Sequence, residues 1–321
     1  MIASSSMIFQ ADSIGSEVLS ILRSDYEGHQ PTGGTVHSVF DKAFNILSAH
    51  EVLVGVVTSS VGEGPFNVVL PTDSSLKELG VRRGEKCIIT EDSFKIGSSL
   101  SIRTLGSRIY SSEHNFTSRL LQPSEIRSNV KTMEEIVRSR GRFEGLGPLI
   151  GAPKHGSGTS IDLFRRQTLS KVADLLRAIE EKEINGVEES AGALVGIGYG
   201  LTPAADDLLC GIMLSSYLLT ENLGGDLETV RRMNQIIASR SEERTTVLSS
   251  QHLKQAALGN GNEFSVGTVR DLATSHNNTD IESSAAKLLA VGSTSGTDNA
   301  IGIILGSYLA LKMLPHFGYR R

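Results

Sequence analysis

Residues 196–218 read GIGYGLTPAADDLLCGIMLSSYL, and this stretch indicates both the fold of the C-terminal half and a candidate site. Glycines alternate at its start, and Thr202 and Pro203 then lead into an apolar run. Thr202 is the expected N-cap and Pro203 the expected first helical residue, because the N–H that proline lacks is unbonded at a helix start anyway. The run at 204–219 is apolar on every side, which predicts a buried helix.

Two adjacent carboxylates, Asp206 and Asp207, stand in the first turn of this expected helix. A buried carboxylate is costly unless it is paired, hydrogen-bonded or metal-bound. Free backbone N–H groups and the positive end of the helix dipole also favour an anion at a helix start. The combination therefore indicates a binding or catalytic site, with Gly198, Gly200 and Thr202 as candidate contacts for a phosphate-like group.

A second stretch of the chain matches the first without gaps. Residues 207–218 and 298–309 share the pattern D-x-x-x-G-I-x-L-x-S-Y-L, and the second copy also follows a loop rich in glycine and hydroxyl groups, Gly292–Thr297. A chance likeness between two core helices is the alternative, but it does not account for an aspartate at the same point of each first turn. We therefore expect two related buried helices, packed against each other, whose N-termini frame one polar site.

The repeat also predicts how the carboxylates are arranged. Asp207 and Asp298 occupy corresponding positions and should face the site together. Asp206 is rotated from Asp207 by about 100° on a helix, so it should point to neighbouring backbone or to a cation. Like charges held close together raise the proton affinity of the pair unless a cation offsets them. The alternative is that both aspartates only stabilise their own helix starts.

Composition sets the broad class of the protein. The chain has 321 residues, enough for two domains, and its net charge of −5 gives no basic footprint for nucleic acid or for an anionic membrane. Cys87 and Cys210 lie far apart in apolar contexts, which favours buried thiols in a reducing compartment over a disulfide framework. There is no basic leader and no apolar run as long as a membrane span. We expect a soluble cytoplasmic protein.

The first third of the chain is rich in short runs of β-propensity, separated by Gly, Ser and Pro turns. After a short helix at Ser16–Arg23, these runs predict a β-rich domain at residues 1–112, built as a small barrel or sandwich. Within it, His37 alternates with apolar neighbours; such a histidine is more often structural than catalytic, but it is a candidate proton acceptor. The predicted strands are Thr35–Phe40, Val52–Thr58, Phe66–Leu70, Lys86–Thr90, Ser93–Ile96, Leu100–Arg103 and Arg108–Tyr110.

The remainder, residues 113–321, has the periodicity of a helical domain, so the predicted fold class is α+β. Gly145–Ser160 is either a flexible connection or a mobile loop that brings the cations Lys154 and His155 to an anionic substrate. Thr245, Ser249 and His252 fall on one face of a predicted helix and could line the site. Besides the two helices of the repeat, the predicted helices are Ile126–Arg138, Ile161–Lys182, Leu227–Ser239, Thr245–Leu258 and Ile281–Ala290.

Four motifs in order along the chain resemble the AllH-like family, which is associated with bacterial oxamate carbamoyltransferase. They are G-T-V-H-S-V-F at 34–40, the stretch from Gly196 to Asp207, T-V-L-S at 246–249, and S-T-S-G-T-D at 293–298. Together they span most of the chain. One departure is that Ala204-Ala205 stand where the family has Ser-Gly. If that serine contacts ligand in the family, the contact is absent here, with a consequence for activity or substrate.

The resemblance implies a subunit of a multi-component carbamoyltransferase, placed in purine or allantoin degradation. Such an enzyme moves a carbamoyl group between carbamoyl phosphate and an acceptor such as oxamate, and its partners are a small anionic metabolite and the other subunits. On this reading Asp206, Asp207, Asp298 or His37 accepts the proton. The substrate contacts are Gly198, Gly200, Thr202, Thr246, Ser249, Ser293, Ser295 and Gly296.

Two other classes stay open from the residues alone. A ribokinase-like small-molecule kinase also places a glycine turn and an aspartate before an apolar helix, although no βαβ alternation is visible here. A non-catalytic subunit that binds a metabolite or organises partner chains is the other alternative. The Asp206–Asp207 pair could hold Mg²⁺ or K⁺ beside a phosphate, but no ligand spacing demands a metal.

Overall fold

The computed structural model describes residues 7–24, 32–142, 144–147 and 159–315, with the backbone alone for residues 24 and 159–167. The chain divides into two compact units, Met1–Ser112 and Glu113–Arg321. The first is built on a β-sheet and the second is helical, so the predicted α+β class is confirmed. The predicted loop cations Lys154 and His155 lie outside the described residues.

In the described residues, the first unit contains one short α-helix, α1 (Ser16–Ser24), a 3₁₀ helix at Leu76–Leu79 and a single mixed sheet of ten strands. The strands pair in the order β1-β9-β8-β7-β3-β4-β5-β6-β2-β10. They are β1 (Met7–Gln10), β2 (Ser13–Gly15), β3 (Thr32–Val39), β4 (Ala43–Ser48), β5 (Leu53–Thr58), β6 (Asn67–Leu70), β7 (Lys86–Thr90), β8 (Ser93–Ile96), β9 (Leu100–Arg103) and β10 (Arg108–Tyr110).

The sheet is curled into a half-barrel, because its two ends are tied together by the chain. Only Ala11 and Asp12 separate β1, at one end of the strand order, from β2, next to the other end. The Ala11 N–H donates to the Arg103 carbonyl at 2.9 Å, and the Asp12 N–H donates to the Val69 carbonyl at 2.9 Å. The expected barrel or sandwich is thus one open, curled sheet around a single apolar core.

In the described part of the second unit, the helices pack around one apolar core, to which each helix from α2 to α10 contributes residues. Two of them, α4 and α8, were not predicted from the periodicity. The helices are α2 (Pro123–Arg140), α3 (Thr159–Glu180), α4 (Ile184–Leu194), α5 (Ala204–Asn222), α6 (Leu227–Ser239), α7 (Val247–Ala257), α8 (Glu263–Thr274), α9 (Asn278–Leu289) and α10 (Ser295–Met313).

The two helices of the repeat, α5 and α10, are in backbone contact, as the sequence match predicts. A Cβ on Gly211 would lie 2.2 Å from the Asn299 carbonyl oxygen, and a Cβ on Gly302 would lie 2.1 Å from the Leu208 carbonyl oxygen. One helical turn further, a Cβ on Gly306 would lie 2.4 Å from the Ile212 carbonyl oxygen. No side chain longer than hydrogen fits at these positions, so the glycines set the distance between the helices.

We expect Gly211→Ala and Gly302→Ala to destabilise the protein by about 3 kcal/mol or more, because each added methyl group meets backbone atoms that cannot move aside. The matched control is Gly267→Ala in α8, where the nearest atom to an added Cβ is an Arg270 side-chain nitrogen at 3.7 Å. That change should stabilise by up to about 1 kcal/mol, since alanine is the better helix former. Thermal unfolding of the three variants is the measurement, and equal melting temperatures would contradict the close contact.

Candidate functional site

The packing of α5 against α10 brings their N-terminal turns together. The Thr202 hydroxyl lies 3.0 Å from the Ser295 hydroxyl, which joins the loop before α5 to the first residue of α10. The Asn299 side-chain amide donates to the Asp207 carbonyl at 3.1 Å, and the Asn299 side-chain oxygen accepts from the Ser265 hydroxyl at 2.8 Å. Three helices therefore fix the relative positions of the two loops.

The start of α5 differs from the expected one. Pro203 has φ −54° and ψ 141°, an extended conformation, so the helix begins at Ala204 and Thr202 does not cap it. The prediction of Thr202 as N-cap was wrong because it assumed that proline enters the helix at once. Its hydroxyl is instead free to reach Ser295 across the site.

The loop before α5 depends on glycine at three positions. Gly196, Gly198 and Gly200 have φ of 81°, 132° and 95°, a region that other residues rarely adopt. A Cβ on Gly198 would lie 2.4 Å from the Ala204 nitrogen, so the loop also passes very close to the helix start. Between these glycines the Tyr199 side chain is 98% exposed.

Backbone N–H groups in both loops have no acceptor within the described part of the chain. The N–H groups of residues 198–202 and of residues 292–295 donate no hydrogen bond to an acceptor among the described residues. Gly296 differs from the prediction, since its N–H donates to the Val291 carbonyl at 3.1 Å and is not free for a ligand. The free donors therefore lie on residues 293–295 of the predicted segment Ser293–Gly296.

Asp206 is fully buried and points to backbone, as its rotation on the helix predicts. It accepts from the Gly196 N–H at 2.8 Å and from the Thr245 hydroxyl. Burial raises the pKa of the Asp206 carboxyl, and hydrogen bonds from Gly196, Thr245 and Ser249 oppose that rise. Asp206 thus holds the glycine loop on the helix start.

Asp207 and Asp298 each keep one buried carboxylate oxygen, Oδ2, without a hydrogen-bond partner among the described residues. The other oxygen of Asp298 accepts from the Leu146 N–H at 2.7 Å. The Leu146 N–H lies outside α10, so this bond does not cap the helix of Asp298. Unsatisfied buried carboxylate oxygens are costly, and these two are open to a hydrogen-bond donor.

The electrostatics of the two carboxylates differ in degree. Burial raises the pKa of Asp207 well above its usual value; the charges of Asp298 and Asp206 add to this, and the hydroxyls of Ser295 and Thr202 oppose it. Burial raises the pKa of Asp298 to about 6, while the Leu146 N–H and the Thr294 side chain lower it. Burial is the first cause of the rise in both carboxyls, and the expected contribution of the other aspartate's charge is present only for Asp207.

Helix α7 supports the glycine loop from the side. Thr246 is the N-cap of α7, where its hydroxyl oxygen accepts from the Ser249 N–H at 3.1 Å, and the hydroxyl donates to the Leu201 carbonyl at 2.5 Å. Thr245 lies before the helix, not on its face as predicted, yet both Thr245 and Ser249 bond Asp206. Burial lowers the pKa of His252 to about 4, so this histidine is neutral near pH 7.

His37 lies in the first unit, on β3. The pairing of β3 with β4 shifts register between Val36 and Ser38, so His37 sits at a bulge. Its Nδ1 lies 3.2 Å from the Ser38 hydroxyl, which in turn accepts from the Asn45 side-chain amide at 2.9 Å. A bulge changes the direction of one side chain relative to the regular alternation of a strand. The role of His37 as a proton acceptor stays a prediction.

Two residues that contact the second loop and Asp298 were missed by the sequence reasoning. Arg142 donates from Nη1 to the Gly292 carbonyl at 2.7 Å and to the Ser293 carbonyl at 2.9 Å. A Cβ on Gly145 would lie 2.4 Å and 2.5 Å from the two carboxylate oxygens of Asp298. The signal available was the glycine spacing of Gly145-Leu146-Gly147, which was read as a sign of flexibility.

The structure also bears on the expectations about a metal site and a membrane span. Among the described residues, no group of three or more His, Cys, Asp or Glu side chains is arranged to hold a metal ion, and Mg²⁺ or K⁺ beside the acidic pair stays a prediction. None of the helices within the described ranges combines the length and apolarity needed to cross a bilayer.

Two family models match the chain. "Oxamate carbamoyltransferase subunit AllH" matches residues 194–307, and "AllH family N-terminal domain" matches residues 10–109, so together they cover most of the sequence. The chain belongs to the AllH family. The resemblance seen in the motifs is therefore confirmed. No curated protein and no solved structure matches the chain.

The AllH match contains both loops, all three aspartates and the start of α7, and the match to the N-terminal domain contains His37. Ala204 and Ala205, which stand where the resemblance implies Ser-Gly, are half-buried and fully buried respectively at the start of α5. Neither offers a hydroxyl beside the glycine loop. The hydroxyls near Asp207 come from Thr202 and Ser295.

The raised pKa of Asp298 predicts a pH dependence of stability. A carboxyl with a higher pKa in the folded chain contributes stability that is full below its ordinary pKa of 3.8 and is lost as the pH rises through about 6. We expect Asp298→Asn, which does not titrate, to gain stability relative to wild type as the pH rises from about 4 to about 7. The gain is at most about 1.4 kcal/mol per pH unit.

Thermal unfolding of both proteins over this pH range is the measurement. The control is Asp226→Asn at the exposed start of α6, where the pKa of the carboxyl is lowered to about 2 by hydrogen bonds from Lys182 and Thr229. Its difference from wild type should not change over the same range. A pH-independent difference for Asp298→Asn would mean that burial does not raise the proton affinity of this carboxyl.

Proposed function

We propose that this chain is the subunit of an oxamate carbamoyltransferase that binds carbamoyl phosphate between the N-termini of α5 and α10 and takes part in carbamoyl transfer to an oxamate-like acceptor. The observation that carries the proposal is the junction of two helix starts through Thr202 and Ser295. The loops that this contact joins carry unbonded backbone N–H groups, and the first turns of the two helices carry two open carboxylate oxygens.

The N–H groups suit the phosphate of the donor. Residues 198–202 and 293–295 lie immediately before or at helix starts, where backbone N–H groups and the helix dipole stabilise an anion. As the C–O bond to phosphate breaks, negative charge grows on the departing phosphate. Donors that are fixed before the reaction stabilise that charge without having to reorganise.

The carboxylates suit the acceptor. An amide nitrogen that attacks the carbamoyl carbon must lose a proton while the new N–C bond forms, and the products are the carbamoylated acceptor and inorganic phosphate. A carboxyl with a pKa of about 6, such as Asp298, is ionised at neutral pH and is a stronger proton acceptor than an ordinary aspartate. The open Oδ2 atoms of Asp207 and Asp298 can also accept hydrogen bonds from an amide N–H before reaction.

The family description names a subunit, which supports the presence of further subunits in the active complex. We infer that the anionic metabolite binds in this chain, while residues of partner subunits complete the site. The ribokinase-like alternative has no comparable support, because in the described residues every strand precedes Ser112 and no βαβ alternation surrounds the glycine loop. A place in purine or allantoin degradation follows from the family alone and stays a prediction.

The test of the proposal is an assay of the complex that co-purifies with this chain when the adjacent genes are expressed together. We expect phosphate release from carbamoyl phosphate that depends on oxamate and is lost when this chain is omitted. Acetyl phosphate, which lacks the carbamoyl nitrogen, is the control donor and should give little release. Transfer from ATP in the absence of carbamoyl phosphate would instead favour the kinase.

Asp207→Asn and Asp298→Asn separate a catalytic role from a structural one. We expect each change to lower kcat by at least about 100-fold, as removal of a general base or its partner does, without lowering the melting temperature at neutral pH. Asp226→Asn is the control, because Asp226 caps α6 through the Thr229 N–H and is remote from the site in sequence. Full turnover in both variants, with reduced stability, would make the two aspartates structural.

A further inference from the structure

Arg142, which follows the C-terminus of α2, holds the loop before α10 and the first turn of α10 by three hydrogen bonds. Its Nη1 donates to two successive carbonyls, those of Gly292 at 2.7 Å and Ser293 at 2.9 Å. Its backbone N–H donates to the Thr297 hydroxyl at 3.0 Å, in the first turn of α10. The side chain and the backbone of one residue thus fix both the loop and the helix start.

Because peptide bonds are planar and trans, this contact also fixes the direction of the neighbouring backbone N–H groups. In a trans peptide the C=O of one residue and the N–H of the next point in opposite directions. Because Arg142 holds the Gly292 and Ser293 carbonyls on its own side, the N–H groups of Ser293 and Thr294 point to the opposite side of the loop. Successive N–H groups on one side form the type of concavity that binds anions.

We infer that Arg142 is a positioning residue for anion binding: it orients the Ser293 and Thr294 N–H groups toward the phosphate without touching the phosphate itself. The inference rests on the proposed function for the identity of the anion, carbamoyl phosphate. Arg142 lies outside both stretches that match the family models, 10–109 and 194–307, so the matched motifs do not include it. The positive charge of Arg142 also polarises the two peptide groups, which strengthens their N–H groups as donors.

The same part of the chain positions the proton acceptor. The Leu146 N–H occupies one oxygen of Asp298 at 2.7 Å, and the approach is possible only because residue 145 is glycine. The other oxygen of Asp298 is left open. The connection after α2 therefore acts on both halves of the site, with Arg142 on the anion loop and Gly145 on the carboxylate.

The first experiment measures binding of inorganic phosphate to the full chain by titration calorimetry. Arg142→Ala should raise the dissociation constant about tenfold or more, since a charged hydrogen-bonding group is lost, and Arg142→Lys should recover part of the loss because an ammonium can also donate to two carbonyls. Arg140→Ala is the matched control. It removes the same charge two residues away, where Arg140 contacts Glu282 at 3.7 Å, and it should bind phosphate as wild type does.

Equal weakening by Arg140→Ala and Arg142→Ala would overturn the inference, since the effect would then be one of net charge. No effect of Arg142→Ala, or no phosphate binding by the wild-type chain, would overturn it as well. A third outcome is that phosphate binding depends on Arg142 but the complex does not consume carbamoyl phosphate. That outcome would contradict the proposed function and leave Arg142 as the positioning residue of an anion site.

The second experiment separates the two halves by steady-state kinetics of the co-purified complex. Arg142→Ala should raise the KM for carbamoyl phosphate more than it lowers kcat. Gly145→Ala, whose methyl group would displace the Asp298 carboxylate, should lower kcat while phosphate binding by the full chain is unchanged. The same pattern of losses in both variants would show that the connection supports the fold in general and would overturn the division between them.

Discussion

The contact between the backbones of α5 and α10 at Gly211 and Gly302 is the constraint on which the rest of the second unit depends. Helices whose backbones touch have one distance and one register, because a shift would place a side chain where only hydrogen fits. That register puts the first turns of α5 and α10 side by side. Asp207 and Asp298 are near one another for this reason, and neither needs a direct bond to the other to stay there.

Much of this arrangement could be predicted from the sequence, because the information is local or repeated. The apolar run of α5, the glycine loop before it and the repeat of its pattern in α10 each lie within a short window. Strand β4 (Ala43–Ser48) was missed because it is almost continuously buried and carries Asn45, so it shows no alternation of polar and apolar residues. Helix α8 was missed because Gly267 interrupts a short pattern, although tertiary packing maintains it.

The contacts of Arg142 and Gly145 could not be predicted in that way. Arg142 meets residues 292 and 293, and Leu146 meets Asp298, across about half the length of the chain. A local pattern describes propensity and burial, but it contains nothing about which distant carbonyl an arginine will reach. From the sequence, Gly145 indicates only an interruption of regular structure. In the structure, glycine is required there because a Cβ would clash with the Asp298 carboxylate.

The internal repeat is broken at the two carboxylates, and the difference gives each a distinct chemistry. Asp298 receives a backbone N–H from Leu146, which favours its ionised form and leaves its pKa at about 6. Burial raises the pKa of Asp207 well above its usual value; the charges of Asp298 and Asp206 add to the rise, and only the hydroxyls of Ser295 and Thr202 oppose it. Two carboxyls whose environments separate their proton affinities divide the acid and base roles between them. We propose that Asp298 accepts the proton from the acceptor nitrogen, and that the open Oδ2 of Asp207 holds the acceptor beside it.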